Sequence, residues 1–187
     1  MYIILLRGYS QSGKDFVGKI LCEQYGFKRF AFADSLKKIV AKNFQCKLDQ
    51  LHSQAGKLEI CPNDSRGRTY RQILIDEAFR LREMDAGIFA KFCCQDILSD
   101  GPPERIVITD WRYPNELDII ARLLPGCGIT AVHIERQGQD KSPVNDISEY
   151  HLSNRINDYK IINTMDSAIY GEVDRLICTI LNDNRTT

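Results

Sequence analysis

The chain has 187 residues, and its 25 Lys plus Arg are balanced by 25 Asp plus Glu. That length suits one well-buried α/β core and is short for two domains of usual size, so a single domain over 1–187 is expected. The charge balance excludes an overall field drawing the chain to nucleic acid or to an anionic membrane, and neither is expected as a partner.

The seven cysteines are scattered without a C-x-x-C pair, which argues against both a zinc site and a disulfide framework. Their odd number and mostly apolar settings suit a reducing compartment. The opening apolar run, Tyr2 to Leu6, stops at Arg7, too short for a signal-peptide core or a membrane span. A cytoplasmic location is the expectation.

In chain order, Tyr2–Leu6 reads as a buried strand and leads into Gly8-Tyr9-Ser10-Gln11-Ser12-Gly13-Lys14. This is the pattern of a phosphate-binding loop. Gly8 and Gly13 let the backbone curl so that the amides of Ser10, Gln11 and Ser12 point into one concavity at a helix N-terminus. Lys14 then reaches the β- and γ-phosphates of a nucleotide. Asp15 follows, where Ser or Thr is commoner; it serves either as a hard oxygen ligand for Mg²⁺, directly or through water, or as a complement to the positive helix end.

Phe16, Val17, Ile20, Leu21 and Tyr25 recur at helical spacing up to Gly26. Phe30–Ala33 reads as a short strand, with Asp34-Ser35 capping a helix through Leu36, Ile39, Val40 and Phe44. Residues 47–68 lack periodicity and are expected to form a mobile excursion. Helical pattern returns over Thr69–Glu83 and Asp85–Leu98, dense in arginine (Arg71, Arg80, Arg82). A planar fork of donors at each suits bidentate phosphate recognition, although exposed helical arginines are usually solvated and not all three can serve it.

Ile106-Val107-Ile108 is a continuous apolar run of the parallel-strand type, and Pro114 opens a further helix. Ile129–Ile134 and Tyr159–Ile162 complete five strands, and Val173 to Leu181 mark a last helix. Arg136 ends the fourth strand and opens segment 137–157, which reads as a closing lid over ATP. Alternating strands and helices imply a parallel sheet between helical layers, with the site at the carboxyl ends of the strands.

Asp110 lies just past a buried strand, where a second acid can meet Mg²⁺ near a phosphate loop. In Asp110-Trp111-Arg112-Tyr113-Pro114-Asn115-Glu116, alternation aims Asp110 and Arg112 the same way, toward metal and phosphate. The competing reading is a surface turn with a helix-start pair between Arg112 and Glu116. His52, His133 and His151 have no ligand-like spacing; Trp111, Tyr113 and Cys93-Cys94 read as packing.

These segments resemble the deoxynucleoside monophosphate kinases of bacteriophages and large DNA viruses. Gly8 to Asp15 is similar to that family's loop, Asp after Lys included. Phe32-Ala33-Asp34-Ser35-Leu36-Lys37 is similar to F-A-D-P-L-K, with Ser35 replacing proline, and Asp110 to Glu116 closely resembles D-x-R-F-P-N-E. Asp146-Ile147-Ser148-Glu149 resembles H-x-S-E with Asp146 in place of histidine, and Tyr159–Asn163 resembles the strand before the adenine loop. Residues 47–68 match poorly.

The resemblance implies a three-layer α/β fold of the P-loop nucleoside-monophosphate-kinase type around a central five-stranded parallel sheet. It implies transfer of the γ-phosphate of ATP, with Mg²⁺, to a deoxynucleoside monophosphate, in the host cytoplasm if the chain is viral. Lys14, Asp110 and Arg112 would be catalytic, and Asp15 and Asp110 would orient the metal. The loop, Arg136 and Asn163 would hold ATP, with Asn163 bordering adenine. Asp34, Lys37, Arg71, Arg82, Arg112 and Glu116 would hold the acceptor, on a helical region spanning about 34–100. Animal phosphomevalonate kinases are also similar, in Gly13-Lys14-Asp15-Phe16-Val17 and in Arg82 with Asp85-Ala86-Gly87-Ile88-Phe89, so phosphomevalonate is the alternative acceptor. A nucleotide-binding regulatory module is the alternative of another class; it does not require the extra arginines. A homodimer is compatible with each reading, and the sequence leaves oligomeric state open.

Overall fold

The strand Tyr2–Arg7 (β1) has four consecutive fully buried residues, Ile3 to Leu6, because helices cover both faces of the sheet at its centre. The computed structural model describes residues 1–99, 101–138 and 159–183. The remaining strands are Lys28–Phe30 (β2), Arg105–Ile108 (β3), Gly128–Arg136 (β4) and Tyr159–Asn163 (β5). They pair in the order β2-β3-β1-β4-β5, all parallel. Leu5 faces Ile108 on one side and Ala131 on the other.

Side chains alternate across this sheet. Ile3, Leu5, Ile106, Ile108 and Ala131 enter one core, packed by helices Phe32–Asn43 (α2), Tyr70–Met84 (α5), Ile88–Ser99 (α6) and Pro114–Leu123 (α7). Ile4, Leu6, Val107, Val132, Ile134 and Ile161 enter the other, against Lys14–Tyr25 (α1) and Ala168–Asp183 (α8). The chain leaves β1 toward β3 and β2 on one side and returns from β3 to β4 on the other. The strand order therefore reverses beside β1, which is where an open parallel sheet leaves a crevice at its carboxyl edge.

Two expectations need correction. Phe30–Ala33 is not a strand: β2 ends at Phe30, and Phe32 already begins α2. The reason is distant in sequence. The first two amides of α2, on Phe32 and Ala33, donate to the two carboxylate oxygens of Asp110 at 2.8 and 2.9 Å, so that helix starts two residues before Asp34. Residues 47–68 are also more regular than expected, holding two five-residue helices, Leu48–His52 (α3) and Gln54–Leu58 (α4). The Ser53 hydroxyl caps α4 by accepting from the Gly56 amide at 2.9 Å. Thr69 and Gln72 form a reciprocal capping box at the start of α5.

Candidate active site

The loop between β1 and α1 is shaped by two close approaches. Gly8 (φ 148) and Gly13 (φ 103) lie in backbone regions that favour glycine, and a Cβ at either would overlap a neighbour: the Ile134 carbonyl oxygen at Gly8, the Asn163 side-chain amide at Gly13. Gln11, with φ 62, adopts a left-handed conformation without that licence. Strain of this kind collects at sites that grip a ligand. The Ser12 amide closes the loop on the Tyr9 carbonyl at 3.1 Å. Lys14 Nζ lies over the loop, donating to the carbonyls of Gly8 and Tyr9 at 2.6 and 2.7 Å.

The loop fits a polyphosphate. It sits at the N-terminus of a twelve-residue helix, holds a lysine ammonium against its own carbonyls, and encloses the Ser12 hydroxyl, which is buried with no hydrogen-bond partner among the described residues. An entering phosphate oxygen would answer each of these. Ser10 is half-buried; Gln11 and Asp15 are exposed, with Asp15 in the first turn of α1.

Asn163, at the end of β5, supports this loop. It is 3 % exposed, beneath the loop, where its Nδ2 donates to the Ser12 carbonyl at 3.0 Å and its Oδ1 accepts from the Met165 amide at 2.9 Å. With both ends of the amide engaged in backbone bonds, it buttresses the phosphate loop from β5. Arg136 is its register partner at the end of β4 and is half-buried. Most of the lid-like segment expected over 137–157, with Asp146 to Glu149, lies outside the described residues.

Asp110 follows β3, next to β1, and caps α2 with both carboxylate oxygens. A carboxylate offers about four lone-pair positions, so two amide bonds leave capacity for a cation. Among the described residues no group of three or more His, Cys, Asp or Glu side chains forms a metal cage. The two carboxylates expected at a metal, Asp15 and Asp110, are hard oxygen donors of the kind Mg²⁺ takes one or two of, its shell being completed by water and phosphate oxygens.

Beyond Asp110 the chain turns into α7. Trp111 is 2 % exposed and anchors the turn, its indole donating to the Tyr113 carbonyl at 2.9 Å. Glu116, at the third position of α7, reaches back so that one oxygen accepts from the amides of Arg112 and Tyr113, both at 3.0 Å. Its other oxygen lies 3.7 Å from Arg82. Glu116 is 3 % exposed, and burial pushes its carboxyl up to about 7 despite the two amides. It was expected at the acceptor; it lies in the wall of a cavity and also supports two other residues there, Arg112 and Tyr113.

That cavity, about 310 Å³, lies between α2, α5, α6 and the start of α7. Leu36, Leu74, Phe79, Phe89 and Tyr113 give it apolar and aromatic walls, while Asp110, Glu116, Arg82 and Arg112 supply the ionisable groups. The Arg82 guanidinium is sandwiched between the rings of Phe89 and Tyr113, 4.6 and 4.2 Å from their centroids. Tyr113, read from sequence as packing, thus forms one face of an arginine clamp.

A cationic group adjoins this cavity. Lys57, on α4, is half-buried, and burial lowers its ammonium pKa; repulsion from Lys37, Arg71 and Arg112 lowers it further, and Asp15 opposes them. Arg71 is tethered beside it by donating to Gln54 of the same helix at 2.8 Å. Lys57 was missed in the sequence because nothing in residues 47–68 marks it; only the fold brings it among the other cations. Asp34 goes elsewhere. It pairs with Arg29 at 2.9 Å and Lys37 at 3.2 Å, and lines a separate cavity of about 360 Å³ with Lys38 and His52. Burial opposes its ionisation, but Arg29 and Lys37 outweigh that and hold its carboxyl below the usual range. Arg80 pairs with Glu77 on the exposed face of α5. The buried thiols of Cys93 and Cys94 are pushed up by burial and stay inert packing groups.

No protein-family model matches the sequence, and no curated protein matches it. Solved structures share its fold. That of shikimate kinase from Aquifex aeolicus vf5 covers 99 % of this chain and 99 % of its own, with TM-score 0.50 and 16 % identity. That of TT1252 from Thermus thermophilus covers 97 % of each chain, with TM-score 0.52 and 15 % identity. No helix among the described residues is long and apolar enough to cross a membrane. The five-stranded parallel sheet flanked by helices thus has the P-loop, nucleoside-monophosphate-kinase-like α/β fold.

Proposed function

We propose that the chain is a Mg-ATP-dependent phosphotransferase acting on an acceptor that itself carries a phosphate, a deoxynucleoside monophosphate. One observation carries this reading. Lys57 stands half-buried among Lys37, Arg71 and Arg112, its ammonium pKa lowered first by burial and then by their repulsion, beside an aromatic-walled cavity at the carboxyl edge of the sheet. A gathering of cations suits a phosphate between them, and aromatic walls suit a base. A regulatory nucleotide-binding module would need the loop and not this second cationic group.

On this reading the loop amides and Lys14 hold the ATP phosphates, and Arg136 approaches them from β4. Asp15 and Asp110 would hold Mg²⁺, which when bound would neutralise charge on the transferring phosphoryl group. The acceptor phosphate has its second pKa near 6, so at neutral pH it is already largely a dianionic nucleophile and needs no general base. The protein's task is then alignment and charge compensation. Arg112 and its neighbours fix the acceptor oxygen, and the apolar walls exclude water that would otherwise take the phosphoryl group.

The test is acceptor-dependent ADP release with Mg-ATP in excess, over dTMP, dGMP, dCMP, dAMP, the matching nucleosides and phosphomevalonate. Turnover of monophosphates and of no nucleoside is expected, and Lys14→Ala should abolish it in a folded protein. Activity on phosphomevalonate alone would move the acceptor to the mevalonate class; ADP release from no acceptor would sink the enzyme reading.

A further inference from the structure

Glu116 is a buried carboxyl group in the wall of the acceptor cavity, with both oxygens directed at other protein groups. One of its oxygens takes the amides of Arg112 and Tyr113; the other faces Arg82 at 3.7 Å. It thereby connects the two arginines that line the cavity, one through its backbone and one through its guanidinium. The Phe89 and Tyr113 rings fix the plane of Arg82 but leave it free to turn within that plane, since a ring face attracts a guanidinium without ordering its N–H directions. An anion at the edge supplies that direction.

We propose that Glu116 is a positioning residue that orients Arg82 and Arg112 toward the acceptor, so that capture of a phosphorylated acceptor depends on its carboxylate although it touches no reacting atom. The inference rests on the phosphotransferase reading above. The charged groups facing Glu116 are Arg82 from α5 and Asp110 from the end of β3, one favouring and one opposing its ionisation, with the Arg112 and Tyr113 amides also favouring it. Because burial brings this carboxyl to about 7, the device switches within the physiological range. Protonation deletes the charge that directs Arg82, so acceptor capture weakens as pH falls. The acceptor's own second ionisation also falls away near 6, but it is common to wild type and variant.

The experiment compares wild type with Glu116→Gln, an isostere that stays neutral, over pH 5.5 to 8.5. At pH 8 the variant's acceptor KM should rise about tenfold, the size expected for a lost charge-assisted contact, with ATP KM within about twofold. At pH 5.5 the wild type should converge on the variant. A wild-type to variant ratio independent of pH, or no difference at pH 8, overturns the proposal. A parallel measurement needs no turnover: the Arg82 Nε–H resonance should be sharp at pH 8 in wild type, broaden as the Glu116 carboxyl carbon titrates, and be broad in Glu116→Gln at every pH. An Arg82 signal indifferent to that titration overturns the positioning role. If wild type phosphorylates no acceptor while Arg82 follows Glu116, the phosphotransferase reading has failed and the positioning contact has not.

Discussion

The Asn163 side-chain amide donates to the Ser12 carbonyl at 3.0 Å across 151 residues of chain, tying the last strand of the sheet to the phosphate loop at its first. It also occupies the space that a Cβ on Gly13 would need, so loop and buttress are fitted to each other. Asn163→Asp sets a carboxylate oxygen against the Ser12 carbonyl where a donor stood. The expected result is a loss of about 1–3 kcal/mol in stability, the cost of an unsatisfied buried polar pair, together with weaker ATP binding. Thermal unfolding and nucleotide titration check this; Asn163→Asp with wild-type nucleotide affinity would show that the loop keeps its shape without the buttress.

Asp110 has two duties that can be separated. As the cap of α2 it contributes stability without any ligand, so Asp110→Ala should cost about 0.5–2 kcal/mol in the absence of nucleotide and metal. Asp110→Asn retains one accepting oxygen and should recover part of that loss, yet remain defective in turnover if the charge also serves Mg²⁺. Equal turnover of wild type and Asp110→Asn at limiting Mg²⁺ would confine the residue to its cap.

The same cap explains where sequence reading stopped. The strands β1, β3, β4 and β5 and the phosphate loop were legible because their signals are local: a five-residue apolar run, glycines at fixed offsets, Pro114 opening α7. The start of α2 was not, since Phe30-Ala31-Phe32-Ala33 has strand-like composition and its helical end is set by an acid 78 residues away. Helices α3 and α4 are five residues each, too short to display a period, and α4 begins on a single Ser53 cap. Lys57 was hidden with them. Asn163 was placed near the nucleotide by resemblance, but its burial under Ser12 depends on β4 pairing with β1 and β5 with β4, which no local pattern encodes.

The cationic group gives a graded prediction. Lys57→Met removes one charge of four near the acceptor phosphate while keeping much of the stem's packing. Acceptor KM should rise by about one decade, with ATP KM nearly unchanged, as expected for a charged hydrogen bond of about 1.5–3 kcal/mol that is partly shared. Arg112→Lys should cost at least as much, because a point charge cannot reproduce a planar fork. Steady-state kinetics with each substrate varied in turn checks both; a Lys57→Met effect on ATP and acceptor alike would place that lysine on the wrong phosphate.

The buried carboxyl of Glu116 also leaves a mark on the fold's pH dependence, readable without substrate. Its pKa in the folded protein is raised from the ordinary 4.5 to about 7, chiefly by burial. The native chain therefore holds a proton between those values that the unfolded chain releases. A group raised in this way contributes stability that is full below about 4.5 and is lost as pH rises through about 7. Each unit is about 1.4 kcal/mol, so the contribution lost across that window is about 3 kcal/mol. Glu116→Gln cannot release a proton and should lack this slope. Measured by denaturant unfolding at pH 4.5, 5.5, 6.5 and 7.5, the stability of wild type relative to Glu116→Gln should therefore decline steadily and level off above about 7. Parallel pH profiles for the two proteins would mean that Arg82 and the amides of Arg112 and Tyr113 keep the carboxylate ionised throughout, with the desolvation of that site already offset by its partners.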